Sequence, residues 1–173
     1  MLVLEVFLLM MAGAFAMFLH HKLRIPMNTP GHHGLEFMMI FVVLRLSSNL
    51  RYAATLAVVG TGLFIMLPGY GASTPLHSVS YLLPGLILDL FYNLNENSMK
   101  RIIALALISG LAYMSIPLSR LLVVAATGFP YNAFIKFGTF YTIVSFFTFG
   151  MIGGLLGFGL DQIRKSFNTQ NKT

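Results

Sequence analysis

The chain has 173 residues, of which 57% are hydrophobic and 9% charged, against roughly 25% charged in a soluble domain, and its mean hydropathy is +0.80. This composition excludes an ordinary soluble domain and indicates an integral membrane protein. The 11 Lys and Arg against 5 Asp and Glu give a net charge of +6, but the basic residues fall in short loops and the tail, where they act as topology signals and not as a nucleic-acid surface. With no cysteine in the chain, disulfides, thiolate metal sites and cysteine nucleophiles are excluded too.

Six apolar segments, at about 1–19, 33–48, 52–68, 76–94, 102–127 and 138–163, predict an all-α integral membrane protein, a single bundle of six transmembrane helices. Each is near the ~20 residues that span a bilayer, the second and third being short. The first, MLVLEVFLLMMAGAFA, has the look of a signal-peptide core, but no basic residues precede it, and it is read as a retained first helix. An even number of spans puts both termini on one side. With that side cytoplasmic, Arg51, Lys100, Arg101, Arg164, Lys165 and Lys172 lie inside and Arg45 sits at an inner helix end. Lys22, Arg24 and Lys136 then lie in the outer loops and Arg120 at an outer helix end, so the positive-inside rule still favours cytoplasmic termini. The outer loops are rich in Gly, Pro, Asn and Tyr; the inner connections SSN and NENS are short and polar.

In the fourth segment, YLLPGLILDLFYN places Asp89 within apolar sequence. A lone carboxylate at the centre of a bilayer costs roughly 2.5–3.5 kcal/mol on insertion scales, so a partner is expected, either Arg45 or Arg51 at matching depth. Such a pair is a fixed lock between helices or, alternatively, a switch or proton-relay carboxylate. No chain of titratable groups linking Asp89 to the outer side is evident.

The outer half gathers polar and aromatic residues. His20, His21, His32, His33 and Glu36 flank the first loop, His77 opens the fourth segment, and Arg120 follows Pro117 near an outer helix end. Tyr70, Tyr81, Tyr113, Tyr131 and Asn132 fall at similar depth. A concave site with aromatic walls and a few polar anchors suits small-ligand binding, which nominates His32, His33, Glu36, His77, Tyr81, Tyr113, Arg120 and Asn132 as substrate contacts. The same histidines are open to two other readings, as interfacial polar residues or as ligands of a metal or haem. Closely spaced small residues recur at Ala12 and Ala16, at Ala53 and Ala57, and at Gly150, Gly153, Gly154 and Gly157. Faces of this kind serve helix packing inside the bundle or docking of another subunit. There is no GxxxxGK[ST], GxSxG or HExxH motif and no obvious inverted repeat, so neither ATP hydrolysis by a phosphate loop, common hydrolase chemistry nor a self-contained secondary transporter is indicated.

The run TPGHHGLEFMMIFVVLRLSSNLRYAATLAVVGTGLFIMLPGYG followed by TPLHSVSYLLPGLILDLFYN resembles the substrate-binding S component of energy-coupling factor (ECF) transporters, over about residues 26–94. The resemblance implies a six-helix, multi-pass protein of a prokaryotic cell membrane that captures a vitamin-like small molecule on its outer face. Its partners would be a transmembrane coupling protein and two cytoplasmic ATPases, with no cofactor and no enzymatic activity of its own. The resemblance also implies docking through AxxxA-type faces, matched here by Ala12 and Ala16 with Ala53 and Ala57, and a lid formed by the first outer loop. Cobalt and nickel members carry a metal-binding histidine near the amino terminus, where this chain has Leu2 and Val3, so a nickel or cobalt substrate is not expected, while the other histidines leave another metal or metal-chelate cargo open. The competing readings are a histidine-rich metal- or haem-binding membrane subunit and a structural subunit of a larger complex.

Overall fold

The computed structural model describes residues 2–22, 28–67, 80–92, 98–128 and 130–170. Every regular element among them is an α-helix: α1 (Leu2–Lys22), α2 (Gly34–Ser47), α3 (Ala53–Ile65), α4 (Leu83–Tyr92), α5 (Ser98–Thr127), α6 (Asn132–Phe137) and α7 (Thr139–Gln170). Three are long and apolar enough to cross a membrane, namely α1, the Ile102–Thr127 part of α5, and α7. Their outward faces carry exposed Phe7, Leu8, Met11 and Phe15 on α1, Ile103, Leu107, Leu111, Leu118 and Leu122 on α5, and Val144, Ile152, Leu155 and Leu156 on α7. Apolar stripes of this extent, on helices whose backbone groups are satisfied internally, suit contact with lipid and not water. The chain is a helical membrane protein.

Contacts at the helix ends fix the helix directions. Glu5 near the start of α1 accepts a hydrogen bond from Ser48 Oγ at the end of α2 (2.6 Å), and Arg164 near the end of α7 bonds Ser47. At the opposite end, the His20 ring of α1 lies 4.1 Å from that of His33, which precedes α2, and Ser145 Oγ of α7 donates to the Pro30 carbonyl (2.6 Å). The six longer helices therefore alternate in direction, and α1 begins at the end where α7 finishes. Helix α2 runs through the middle, packed against α1, α3, α4, α5 and α7. Its sequence GLEFMMIFVVLRLS is apolar on nearly all sides, as a central helix requires, and it buries Phe37, Met38, Phe41 and Val42.

The first helix runs on to Lys22, the fifth starts at Ser98 and a short helix, α6, falls in an expected outer loop, but two departures from the hydropathy reading matter more. The last helix continues past 163 to Gln170, because Asp161 pairs with Arg164 and Lys165 at i+3 and i+4 and those charges support a helix that hydropathy alone would end. The fourth helix begins at Leu83 after a turn at Tyr81 and Leu82; residues 76–79 and 93–94 of the expected segment lie outside the described residues. At about 1.5 Å per residue, α2, α3 and α4 are about 21, 20 and 15 Å long, each short of the ~30 Å hydrocarbon core.

Small residues set the closest helix approaches. A methyl group added at Gly13 would overlap the Ala57 carbonyl, and one at Gly60 would overlap the Met10 carbonyl, so α1 and α3 cross backbone against backbone. Thr61 Oγ1 bridges the crossing by donating to the Gly13 carbonyl (2.9 Å). Replacing Thr61 with valine removes that bond at nearly constant volume and is expected to cost about 1 kcal/mol, measurable as a lower melting temperature in detergent. On α7, Gly153 faces the Gly34 and Leu35 carbonyls and Gly150 faces the Ser109 carbonyl, so the glycine run seats α2 and α5 together.

The same packing accounts for the residues expected to dock a partner. Ala16 is buried, and Ala53 and Ala57 are 0% exposed. Ala57 lies against Gly13 of α1, and the faces of α1 and α3 that carry these alanines are occupied within the chain. Ala12 is half-buried. Close approach between α1 and α3 uses the small residues that sequence alone left open to an external helix.

Candidate functional site

The two ends of the bundle hold different chemistry. At the end where α1 begins, Arg45 Nε lies 3.0 Å from Asp89 Oδ1, with the two side chains 5% and 1% exposed. The Asp89 carboxylate also accepts from Ala54 N (3.2 Å), Thr55 N (2.7 Å) and Thr55 Oγ1 (2.7 Å). Those amides belong to the first turn of α3, whose own N-cap residue, Tyr52, makes no side-chain cap bond. Asp89 thus caps α3 from a neighbouring helix, satisfying amides that a helix start leaves unpaired. Arg45 in turn donates to the Leu50 carbonyl (2.9 Å) and lies over the Tyr92 ring, 4.1 Å from its centroid. Asp89 and Arg45 together tie α2, α3 and α4. With its oxygens held by two amides, a hydroxyl and a guanidinium, the carboxylate has the geometry of a structural lock.

A second buried carboxylate at this end, Asp161 on α7, is 0% exposed and lies 2.6 Å from both Arg164 Nη2 and Lys165 Nζ. Arg164 extends the connection to Ser47 of α2. The sequence signal was present in DQIRK, an acid with bases three and four residues on, but it was read only as basic tail.

The opposite end collects the aromatic and titratable residues. The loop before α2 turns at Gly31, whose φ of +78° suits glycine; a side chain there would also meet the Phe146 ring. His32 Nδ1 lies 2.7 Å from the Thr29 carbonyl. A carbonyl oxygen only accepts, so Nδ1 carries the proton and Nε2 of the neutral ring is left as an acceptor. The His32 and His33 rings are 3.9 Å apart and tilted by 38°, those of His33 and His20 4.1 Å apart and tilted by 55°, a three-ring cluster at the mouth of α1 and α2. Glu36 lies in the first turn of α2, three residues on from His33.

Aromatic rings pack beside this group, Phe146 against Gly31 and Tyr113 against Gly34. Tyr113 of α5 is buried and stacks on Phe146 of α7 at 4.9 Å and 16°. Phe37 lies 6.3 Å from Tyr113 and 5.8 Å from Tyr81. Arg120 lies one to two turns beyond Tyr113 on α5, its guanidinium 4.7 Å from the Tyr131 ring centroid, and its charge reaches Tyr81, Tyr113 and Tyr131. Pro117 falls between them and has no N–H for the Tyr113 carbonyl, which opens the helix ladder at the depth of the site.

Of the expected substrate contacts, His32, His33, Glu36, Tyr81, Tyr113 and Arg120 come together here. Asn132 is exposed at the start of α6, and His77 lies outside the described residues. Phe37, Phe146 and Tyr131 complete the walls; the first two were hidden in apolar helix sequence that any membrane span displays. Among the described residues, no group of three His, Asp or Glu side chains is arranged to hold a metal ion. The histidines meet ring to ring.

Several polar atoms of this end are inaccessible from outside the chain and have no hydrogen-bond partner among the described residues: both Glu36 carboxylate oxygens, His32 Nε2, His33 Nδ1 and Thr29 Oγ1. Unsatisfied buried polar atoms are few in folded proteins, and each costs about 1–3 kcal/mol. Their concentration between aromatic walls makes this end the candidate binding site. No family model, curated protein or solved structure matches the chain.

Proposed function

We propose that the chain is the substrate-capture subunit of an ECF-type importer. In this reading all six longer helices cross the membrane, both termini are cytoplasmic, and the histidine and tyrosine end faces outward in the multi-pass cell membrane of a prokaryote. A vitamin-like small molecule binds there and is delivered with a transmembrane coupling protein and two cytoplasmic ATPases. The observation that carries the reading is the group of unpartnered polar atoms around Glu36 and His32, at the end of the bundle where Phe37, Tyr81, Tyr113 and Phe146 pack together. A structural subunit has no use for such a group. The sequence resemblance over about residues 26–94 and the basic residues clustered at the opposite end support the same orientation.

Affinity purification of the tagged protein from its own membrane in mild detergent tests the assembly. Co-purification of a membrane coupling protein with two ATPase chains is expected. Recovery with haem, or in a large complex that contains no ATPase, contradicts the proposal.

A further inference from the structure

Among the buried polar atoms of the candidate site, the two Glu36 carboxylate oxygens stand out. Glu36 Oε1 and Oε2 are acceptors, and in the neutral His32 ring, whose Nδ1 donates to the Thr29 carbonyl, Nε2 is an acceptor. His33 Nδ1 takes either role, and the Thr29 hydroxyl serves as donor or acceptor. The nearby cation, Arg120, already lies on the Tyr131 face. What the Glu36 carboxylate lacks is donors.

Building on the capture reading above, we propose that the ligand of this end is a small organic cation bearing several N–H donors, such as an amidinium or a protonated amino-heterocycle, and not a carboxylate or phosphate. Its nitrogen donors meet the Glu36 carboxylate and His32 Nε2, and its apolar body lies among Phe37, Tyr81 and Tyr113. A charge-assisted bond to Glu36 supplies most of the discrimination, since a site with unpaired buried acceptors strongly rejects ligands that lack donors. Cation and ring also attract at the tyrosine and phenylalanine faces.

Three probes of equal ring size separate the alternatives: benzamidine, benzamide and benzoate, titrated into the detergent-solubilised protein by saturation-transfer NMR. Benzamidine is expected to bind saturably, benzamide more weakly and benzoate not at all. Glu36→Gln is expected to weaken benzamidine about 10-fold to 100-fold, the loss of one charge-assisted hydrogen bond. Preference for benzoate, unchanged benzamidine binding in Glu36→Gln, or no saturable binding of any probe overturns the proposal. The last outcome would leave water as the partner of these atoms. If Glu36→Gln does not fold, the ranking of the three probes on the native protein decides alone. The result is independent of assembly: a chain that co-purifies with ATPases yet prefers benzoate refutes the ligand class and leaves the importer reading standing.

Discussion

Replacing Asp89 with alanine is expected to destabilise the protein by about 3–5 kcal/mol, the range for breaking a buried ion pair by removing one partner. Two losses combine. Arg45, 4% exposed, keeps its Leu50 and Tyr92 contacts but loses the carboxylate that neutralises it, and the Ala54 and Thr55 amides lose their cap. Arg45→Met in the Asp89→Ala background removes the uncompensated cation and is expected to restore part of the loss but not all, because α3 remains uncapped. Unfolding of the purified variants in detergent measures both steps. A double variant no more stable than Asp89→Ala would mean that the pair contributes nothing beyond the cap.

The second large effect is expected at Gly13. A valine there must place its Cβ against the Ala57 carbonyl, a backbone atom that cannot rotate away. Overpacking that flexible side chains absorb costs about 1–3 kcal/mol, and here the alternative is separation of α1 from α3, which also stretches the bond from Thr61 to Gly13. Loss of folded monomer in size-exclusion chromatography is the expected readout, with Gly60→Val behaving alike. Gly159→Ala supplies the contrast, since nothing lies within 4 Å of the added methyl, and wild-type behaviour is expected.

These two sites illustrate what sequence reading reaches. Composition and apolar runs were sufficient for a helical membrane protein, and depth matching narrowed the partner of Asp89 to Arg45 or Arg51, between which the 3.0 Å pair with Arg45 decides. The capping of α3 was invisible, because the cap residue lies more than thirty positions downstream of the amides it serves and no local pattern carries that information. At Ala12, Ala16, Ala53 and Ala57 the small-residue motif indicates close approach of a helix, but such a face has the same sequence whether its partner is in the same chain or another one. The glycine beside them, Gly13, was the residue under greatest constraint.

The candidate site was legible in its polar members and not in its walls. Histidines, Glu36 and Arg120 stand out because ionisable residues are rare in membrane helices. Phe37 and Phe146 do not, because phenylalanine is ordinary there and only the fold says which rings face Tyr113. The proton position on His32 required the Thr29 carbonyl, a contact within a turn that the sequence TPGHHG does not specify.

Native mass spectrometry of the protein taken from its own membrane in mild detergent, beside Glu36→Gln prepared in the same way, tests the central claim most directly. The wild-type chain is expected to carry a small-molecule mass adduct that is lost or strongly reduced in Glu36→Gln. A wild-type chain without an adduct, or one whose adduct persists undiminished in the variant, would contradict a ligand site at the histidine and tyrosine end.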